Sequence, residues 1–219
     1  MPSSLLKFVK QYSVKIGGRM YPVVKIGNQL WMAENLDYAW DGLSVGGGDV
    51  SGEVPHAWYY NNNKAAYGID GTYKCGLLYN PYAAKYLGDN ESTLLPSGWH
   101  VPNANEATSF FTALPEFSQG SWAGAGQAAR AKNNSVTADW PSNWNGNDTH
   151  GLTVLPSGYR FRVSSQTFAG IGTNFCIYSK TIANNYISTA SCSNYSSSSG
   201  SEYLNVNNAN SIRLVKTLA

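Results

Sequence analysis

The sequence has 219 residues, a formal net charge of +2 and only 13% charged residues, about half the usual share. This length allows one domain or two small ones. No basic run points to nucleic acid, no stretch of ~20 apolar residues predicts a membrane span, and three cysteines cannot build a full disulfide framework. The start of the chain lacks the hydrophobic core of a signal peptide.

The N-terminal part of the chain predicts a lead-in segment followed by a β-hairpin. We interpret residues 1–16 as the lead-in and expect the domain itself over 17–219. Two β-rich runs, 20–26 and 29–32, flank Gly27-Asn28, a dipeptide that favours a two-residue hairpin turn. Trp31 is expected to be buried with its N–H hydrogen-bonded.

A long loop and two helices are predicted next. The Gly-, Asn- and Tyr-rich stretch 41–74 predicts a loop that is either functional or an ordered coat over the core. Residues 75–86 predict a strand that passes into a short helix. Asn103 or Asn105 can cap a further helix, with Glu106 in its first turn. The apolar face of that helix is formed by Phe110, Phe111 and Leu114.

The chain after the helix at Phe110 and Phe111, apart from residues 174–210, is predicted to form short elements separated by turns. Residues 123–133 indicate a second short helix or a turn, 152–155 a strand, and Pro156-Ser157-Gly158 a turn. The alternating residues 211–216 predict a closing strand, which we expect to lie near the hairpin at 21–32.

The segment 174–211 has a composition unlike the rest of the chain. Its 38 residues include 10 Ser, 8 Asn and 4 Tyr, and only Lys180 and Glu202 are charged. A solvated low-complexity loop is one interpretation. Apolar and aromatic residues are interleaved throughout, however, and Tyr, Ser, Gly and Asn are the residues that dominate antibody binding loops. We therefore favour a folded recognition surface.

The same segment fits the residues that an adenine-directed mutagenic mechanism would leave. The products of randomising the first two bases of an AAC codon include Asn, Ser, Tyr, Thr, Ala, Ile, Phe, Cys, Gly, Leu and Val, but exclude Lys, Glu, Gln, Trp and Met. Lys180 and Glu202 are the two exceptions in this segment. An ordinary Ser- and Asn-rich surface is the alternative explanation, and the codons themselves would distinguish the two.

The predicted ligand contacts are tyrosines surrounded by small polar residues. A few aromatic side chains dominate most interfaces, while the neighbouring polar contacts contribute little. We expect the anchors to be Tyr178, Tyr186, Tyr195 and Tyr203, accompanied by Asn184, Asn185, Ile187, Asn205 and Asn207.

Five motifs in this order resemble the Fibrobacter succinogenes major paralogous domain: GGRMYPVVKIGNQLWMAENLDY, CGLLYNPYAA, PSGWHVPNANEATSFFTAL, NDTHGLTVLPSGYR and SIRLVK. The resemblance covers roughly residues 17–216. It implies one α+β domain of the C-type lectin-like fold, formylglycine-generating-enzyme type, with short helices, a small antiparallel sheet and long loops on one face. The N- and C-terminal strands would pair. Leu94 and Leu95 stand where the family often has a cysteine.

The C-terminal layout also resembles the variable proteins of diversity-generating retroelements. The resemblance implies a constant frame at 151–160 and 212–216, with hypervariable positions between about Asn174 and Asn210. It further implies a bacterial or phage protein, displayed on a cell surface or phage particle, that binds a surface protein or glycan in adhesion or receptor binding. Neither nucleic acid nor a cofactor is expected as a partner.

Catalysis is not expected from this sequence. Cys176 and Cys192 could serve a formylglycine-type oxidase, but no base motif flanks them. A serine hydrolase would need one of His56, His100 or His150, and no G-x-S-x-G elbow accompanies them. The His beside Trp99 is expected to be a hydrogen-bonded structural residue.

Two non-catalytic alternatives remain open. A Ca²⁺-dependent lectin could use the oxygens of Asn145, Asn147 and Asp148, although calcium prefers several carboxylates and acids are scarce here. A carbohydrate-binding or structural surface module without diversification could stack sugar rings on aromatic residues. The candidates for stacking are Trp58, Tyr59, Tyr60 and Tyr67.

Overall fold

The computed structural model describes residues 12–48, 52–64, 75–120, 122–131, 146–161, 167–193, 199–205 and 208–218, without the side chains of 118–123 and 192–205. It has the α+β architecture expected from the sequence, with short helices and several small, mostly antiparallel sheets. The helices are α1 (Pro81–Asp89), α2 (Glu91–Leu94), α3 (Ala104–Thr112) and α4 (Trp122–Ala129). The strands are β1 (Tyr12–Ile16), β2 (Arg19–Ile26), β3 (Gln29–Met32), β4 (Ser44–Val45), β5 (His56–Trp58), β6 (Leu78–Tyr79), β7 (Ser157–Phe161), β8 (Phe168–Ile171), β9 (Asn174–Ala183), β10 (Tyr186–Ser193), β11 (Ser199–Asn205), β12 (Asn208–Ala209) and β13 (Val215–Thr217).

A four-stranded antiparallel sheet in the order β1-β2-β3-β13 joins the two ends of the chain. Its central hairpin turns at Gly27-Asn28, with Ile26 opposite Gln29, as the sequence predicts. The closing strand β13 pairs with β3, so that Val215 lies opposite Trp31. Trp31 is fully buried and its indole N–H donates to Oε1 of Gln29. The expected pairing of N- and C-terminal strands is therefore confirmed.

The sheet begins earlier than the predicted domain boundary. Residues 12–16, assigned above to the lead-in, form β1, and every residue of β1 pairs with a residue of β2. Val14 and Ile16 are buried in the core because alternate residues of a strand face the same side. The first part of the lead-in lies outside the described residues.

Side-chain caps begin the two longest helices, and the cap of α3 is one of the two residues that the sequence indicates. Asn80 accepts a hydrogen bond from the backbone N–H of Ala83, and Pro81 occupies the first turn of α1. At α3, Asn103 and Glu106 form a reciprocal capping box. The predicted apolar face of α3 is buried.

Two of the predicted irregular regions differ from the structure. The stretch 41–74 contains β4 and β5, which form a small sheet with β6. The strand expected at 152–155 is instead an irregular core segment, in which Thr153 has a φ of 48° and Val154 forms an isolated bridge with Arg130. The predicted turn residues Ser157 and Gly158 begin β7. Gly158 has a φ of 67°, so this glycine bends the start of a strand rather than closing a turn.

The unusual segment 174–211 is folded within its described residues. It forms the sheet β11-β10-β9 and then β12, which pairs with β7. β9 lies between the two large core clusters and contributes residues to both. Tyr178 packs with Trp40 and Leu214 in one cluster, and Phe175 packs with Phe110 in the other. Within the described part of the chain, none of the helices is long and apolar enough to cross a membrane.

Candidate recognition surface

The end of the β9–β10 hairpin projects away from the core. β9 is buried on both faces from 175 to 179, and exposure begins at Thr181. The turn itself is Asn184-Asn185, whose φ angles of 51° and 63° give both residues the left-handed backbone of a tight hairpin turn. Tyr186 follows directly and is 46% exposed. We call residues 181–186 the hairpin tip.

The strand register adds a third strand to one side of the hairpin tip. Tyr186 lies opposite Ala183 on β9 and opposite Asn205 on β11. The predicted contacts Asn184, Asn185, Tyr186 and Asn205 therefore meet at one end of a single sheet, although the side chain of Asn205 is outside the described set. The exposed Thr181 and Ala183 also belong to this end, and sequence reasoning missed them.

Two predicted contacts are core residues, which corrects the expectation that they face a ligand. Tyr178 is fully buried, its hydroxyl donates to the carbonyl of Asn208 at 2.8 Å, and burial raises its pKa well above the usual value. Ile187 is also fully buried and packs in the same cluster. Both are enclosed because this part of the β9–β10 sheet packs against the helices.

The remaining predicted contacts are only partly described. Tyr203 lies on β11 with its backbone opposite Ser188, and its side chain is outside the described set. Tyr195 and Asn207 both lie outside the described residues.

Lys180 attaches the hairpin to the helical side of the molecule. Its backbone N–H donates to the carbonyl of Pro102, and its Nζ lies 2.9 Å from Oε1 of Glu91. Glu91 also accepts from the backbone N–H of Val101. α1 approaches closely here, since a methyl group at Gly88 would lie 2.8 Å from Cβ of Lys180. The positive charge of Lys180, at the base of the hairpin tip, is thus paired within the protein.

Beneath the sheets, Arg213 joins its own C-terminal segment to two others. Its guanidinium donates to Oδ1 of Asn35 at 2.7 Å, to the carbonyl of Leu152, and to the carbonyl of Thr153 at 3.0 Å. Asn35 in turn donates to Ser211. Arg213 is fully buried, whereas a simply alternating SIRLVK strand would place a charged side chain in solvent.

The three histidines have separate partners. His56 contacts the carbonyl of Gly46, and His150 lies 2.8 Å from Glu116. His100 lies 2.8 Å from Glu106, and this hydrogen bond raises the pKa of the imidazole. Burial opposes ionisation of Glu106, but its hydrogen bonds from His100 and Asn103 outweigh burial and lower its pKa. His100 therefore braces the start of α3, as expected of a structural residue.

The cysteines are not arranged as a reactive pair in the described backbone. The register of β9 and β10 places Ser191, rather than Cys192, opposite Cys176. Cys75 is buried elsewhere, and burial raises the pKa of its thiol to about 12. A thiol with such a pKa is not a nucleophile near neutral pH.

The residues considered for calcium or sugar binding are mostly engaged in the fold. The carboxylate of Asp148 accepts from the backbone and side chain of Thr153, and Asn145 lies outside the described residues. Among the residues that the structure describes, no group of three His, Cys, Asp or Glu is placed to hold a metal. Trp58 and Tyr60 are buried, which corrects their proposed role as exposed stacking rings. Tyr59 is half-buried and Tyr67 is outside the described residues.

Comparison with known proteins identifies one family. The family model described as the Fibrobacter succinogenes major domain matches residues 24–216. No curated protein and no solved structure matches the chain.

Proposed function

We propose that this chain, which belongs to the Fibrobacter succinogenes major domain family, is a ligand-binding display protein whose hairpin tip contacts the ligand. One observation carries the proposal: an exposed Tyr and two exposed Asn lie on a tight turn whose strands are anchored in the core. A rigid base lowers the entropy lost on binding, which is the usual arrangement of recognition loops on a scaffold. In this proposal the domain has a C-type lectin-like fold.

The chemistry of the hairpin tip favours a partner held by shape and hydrogen bonds rather than by charge. Residues 181–186 carry no charge, and Lys180 at their base pairs with Glu91. Tyr186 supplies a large, rigid contact area, and Thr181 supplies a hydroxyl group. We expect the affinity to change little with salt concentration, because screening acts on exposed charges. A surface protein or glycan is the partner that we propose.

Asn184 and Asn185 form the turn of the hairpin, and this limits which residues can replace them as ligand contacts. Both occupy a left-handed backbone conformation that Asn, Asp and Gly tolerate and that β-branched residues do not. Their side chains can still bind a ligand, but their replacement is restricted. Tyr186, Thr181 and Ala183 have extended strand backbone and are under no such restriction.

Replacement of Tyr186 tests this surface directly. We expect Tyr186→Ala to weaken binding by about 2 kcal/mol, or roughly thirtyfold, because truncated aromatic anchors usually cost that much. The melting temperature should change little, since Tyr186 is 46% exposed. Partners are first selected on arrays of bacterial surface proteins and glycans, with calcium added or chelated, and their affinities are then measured.

Tyr12→Ala is the matched control for this experiment. Tyr12 is 47% exposed and lies on β1, in a different sheet from the hairpin tip. Its replacement removes the same side chain from a comparably exposed position. Equal affinities of Tyr186→Ala and Tyr12→Ala for the selected partner would contradict the proposed surface.

We also propose that the hairpin tip is diversified by an adenine-directed mechanism, as in the variable proteins of retroelements. Deep sequencing of the gene in cultures that carry a reverse transcriptase beside a near-copy of the 3′ end tests this. Substitutions are expected at template adenines, most often at Thr181, Ala183 and Tyr186. The buried Tyr178 and Ile187 should remain constant, because core replacements cost several kcal/mol. Variation spread equally over buried and exposed codons would count against the mechanism.

The proposed location follows from this function. A display protein has to meet its partner outside the cell, so we expect the domain on a cell surface or phage particle, with the hairpin tip facing outward.

A further inference from the structure

Three aromatic rings form a continuous stack that ends at the protein surface. The ring of Trp40 is parallel to that of Tyr79, at an interplanar angle of 2° and a centroid distance of 6.2 Å. Trp40 also stacks with Tyr86 of α1, at an interplanar angle of 11° and a centroid distance of 5.9 Å. These values describe offset stacking, which is the favourable arrangement for aromatic pairs.

Exposure increases along this stack from the inside to the outside. Tyr79 is fully buried, Trp40 is 4% exposed and Tyr86 is 43% exposed. The phenol of Tyr79 is further fixed by hydrogen bonds with the backbone of Tyr38. The ring of Tyr86 therefore packs on the buried ring of Trp40, which packs in turn on Tyr79, while a large part of Tyr86 remains in contact with solvent. The free energy of ordering this ring is already provided by folding.

The surroundings of Tyr86 are polar but electrically balanced. Lys85 and Asp89 are exposed neighbours on α1, and their side chains form an ion pair at 2.5 Å. Tyr82 lies one turn earlier on the same helix face and is half-buried, so it extends the aromatic surface by about 5–6 Å. Asn90 follows at the end of the helix, with its amide N–H donating to the carbonyl of Tyr86.

We propose that Tyr86 is a stacking platform for a sugar ring of a neutral oligosaccharide. A pyranose with equatorial hydroxyls presents axial C–H groups on its flat faces, and these carry the partial positive charge that the negative face of an aromatic ring attracts. Its hydroxyls lie at the rim of the ring, where Lys85, Asp89 and Asn90 offer donors and acceptors. Tyr82 is placed to contact the next sugar along the chain.

The balanced charges argue against the other ligands that bind tyrosine faces. The ion pair of Lys85 and Asp89 offers no net attraction to a cationic or an anionic ligand, because each charge is neutralised by its partner. A neutral ring with many hydroxyls needs no such attraction and can exchange hydrogen bonds with both.

This platform is separate from the hairpin tip. Tyr86 and Gly88 are two residues apart, so they lie on nearly opposite sides of α1. Gly88 contacts Lys180 at the base of the hairpin, whereas Tyr86 contacts Trp40. The sugar site therefore goes beyond the function proposed above and does not depend on it.

Titration with defined oligosaccharides tests the platform. The probes are cellohexaose, xylohexaose and chitohexaose, whose rings have equatorial hydroxyl or acetamido groups. Binding is followed by calorimetry and by tryptophan fluorescence, because a ring placed on Tyr86 lies one ring away from Trp40. We expect at least one probe to bind, and we expect Tyr86→Ala to weaken that binding by at least about tenfold.

Two further variants separate loss of the ring from loss of packing. Tyr86→Phe keeps the ring and should bind within about threefold of the original protein, whereas Tyr86→Leu covers Trp40 without an aromatic face and should bind as weakly as Tyr86→Ala. Tyr12→Ala, at a comparably exposed tyrosine in another sheet, should bind normally. Absence of binding to all three probes, or equal binding by Tyr86→Leu and the original protein, would overturn the proposal.

Discussion

Arg213→Met is expected to destabilise the protein by about 3–5 kcal/mol, a large part of the stability of a typical domain. Methionine retains most of the length and apolar volume of the side chain, so little space is left empty. What it removes is the guanidinium, whose Nε and terminal nitrogens bond Asn35 and the carbonyls of Leu152 and Thr153. Those acceptors would then be buried without these donors, at about 1–3 kcal/mol each.

The position of Arg213 makes the effect larger than that of an ordinary polar contact. Its partners belong to the segment after β3 and to the irregular segment before β7, which are far apart in the sequence. Its charge also lies 5.2 Å from the ring of Phe175 and 5.8 Å from that of Phe110, within cation–π range. Loss of the guanidinium therefore weakens the contact of the C-terminal segment with the core cluster that contains Phe110 and Phe175.

Urea and thermal unfolding measure this prediction, with Lys216→Met as the matched control. Lys216 lies three residues later, and its Nζ donates to the carbonyl of Ser97 at the exposed surface. We expect the control to lose less than about 1 kcal/mol, and Arg213→Met to melt on the order of 10 °C lower than the original protein. Similar melting temperatures for the two variants would show that the Arg213 network contributes little.

Gly158→Ala is the second substitution for which we expect a large effect, about 3 kcal/mol or more. A methyl group at this position would lie 2.5 Å from the carbonyl oxygen of Ala169 and 2.8 Å from the backbone nitrogen of Ile171. Both atoms belong to β8, so relief of the contact requires the backbone of a paired strand to move. The φ of 67° adds strain for any residue with a Cβ.

Gly18→Ala separates the two contributions. Gly18 has a φ of 86° in the turn between β1 and β2, and nothing lies within 4 Å of its ideal Cβ. This control carries the backbone strain without the close approach and should cost about 1 kcal/mol. Chemical denaturation gives the free energy of unfolding of each variant, and the difference between the two is the cost of the close contact between Gly158 and β8. A difference below about 1 kcal/mol would mean that β8 moves easily.

The elements that sequence reasoning predicted well are those defined by neighbouring residues. The hairpin at Gly27-Asn28 and the capping box of Asn103 and Glu106 depend on groups two or three positions apart. Their hydrogen bonds form within a single turn, so the same residues favour the same geometry in many folds. The motifs that indicated the family are also local, and the match to residues 24–216 confirms that resemblance.

Two features of the core were not predicted from the sequence. Leu152 and Val154 alternate as strand residues do, yet they pack in the core while the paired strand begins at Ser157. The burial of Arg213 was not predicted either, because charged residues are rarely buried, but distant carbonyl groups satisfy its donors. In both cases the partners come from other parts of the chain, and no local pattern specifies them.

The tyrosines of the Asn- and Ser-rich segment illustrate the same limit. By itself the sequence determined that this segment is rich enough in aromatic and apolar residues to fold. Only the tertiary structure decided that Tyr178 is core and Tyr186 is surface. The backbone N–H of Tyr178 bonds the carbonyl of Ser211, and the packed helices cover its ring, whereas Tyr186 lies beyond the edge of that packing. Burial depends on contacts between distant segments, and two tyrosines eight residues apart in similar sequence surroundings can therefore have opposite roles.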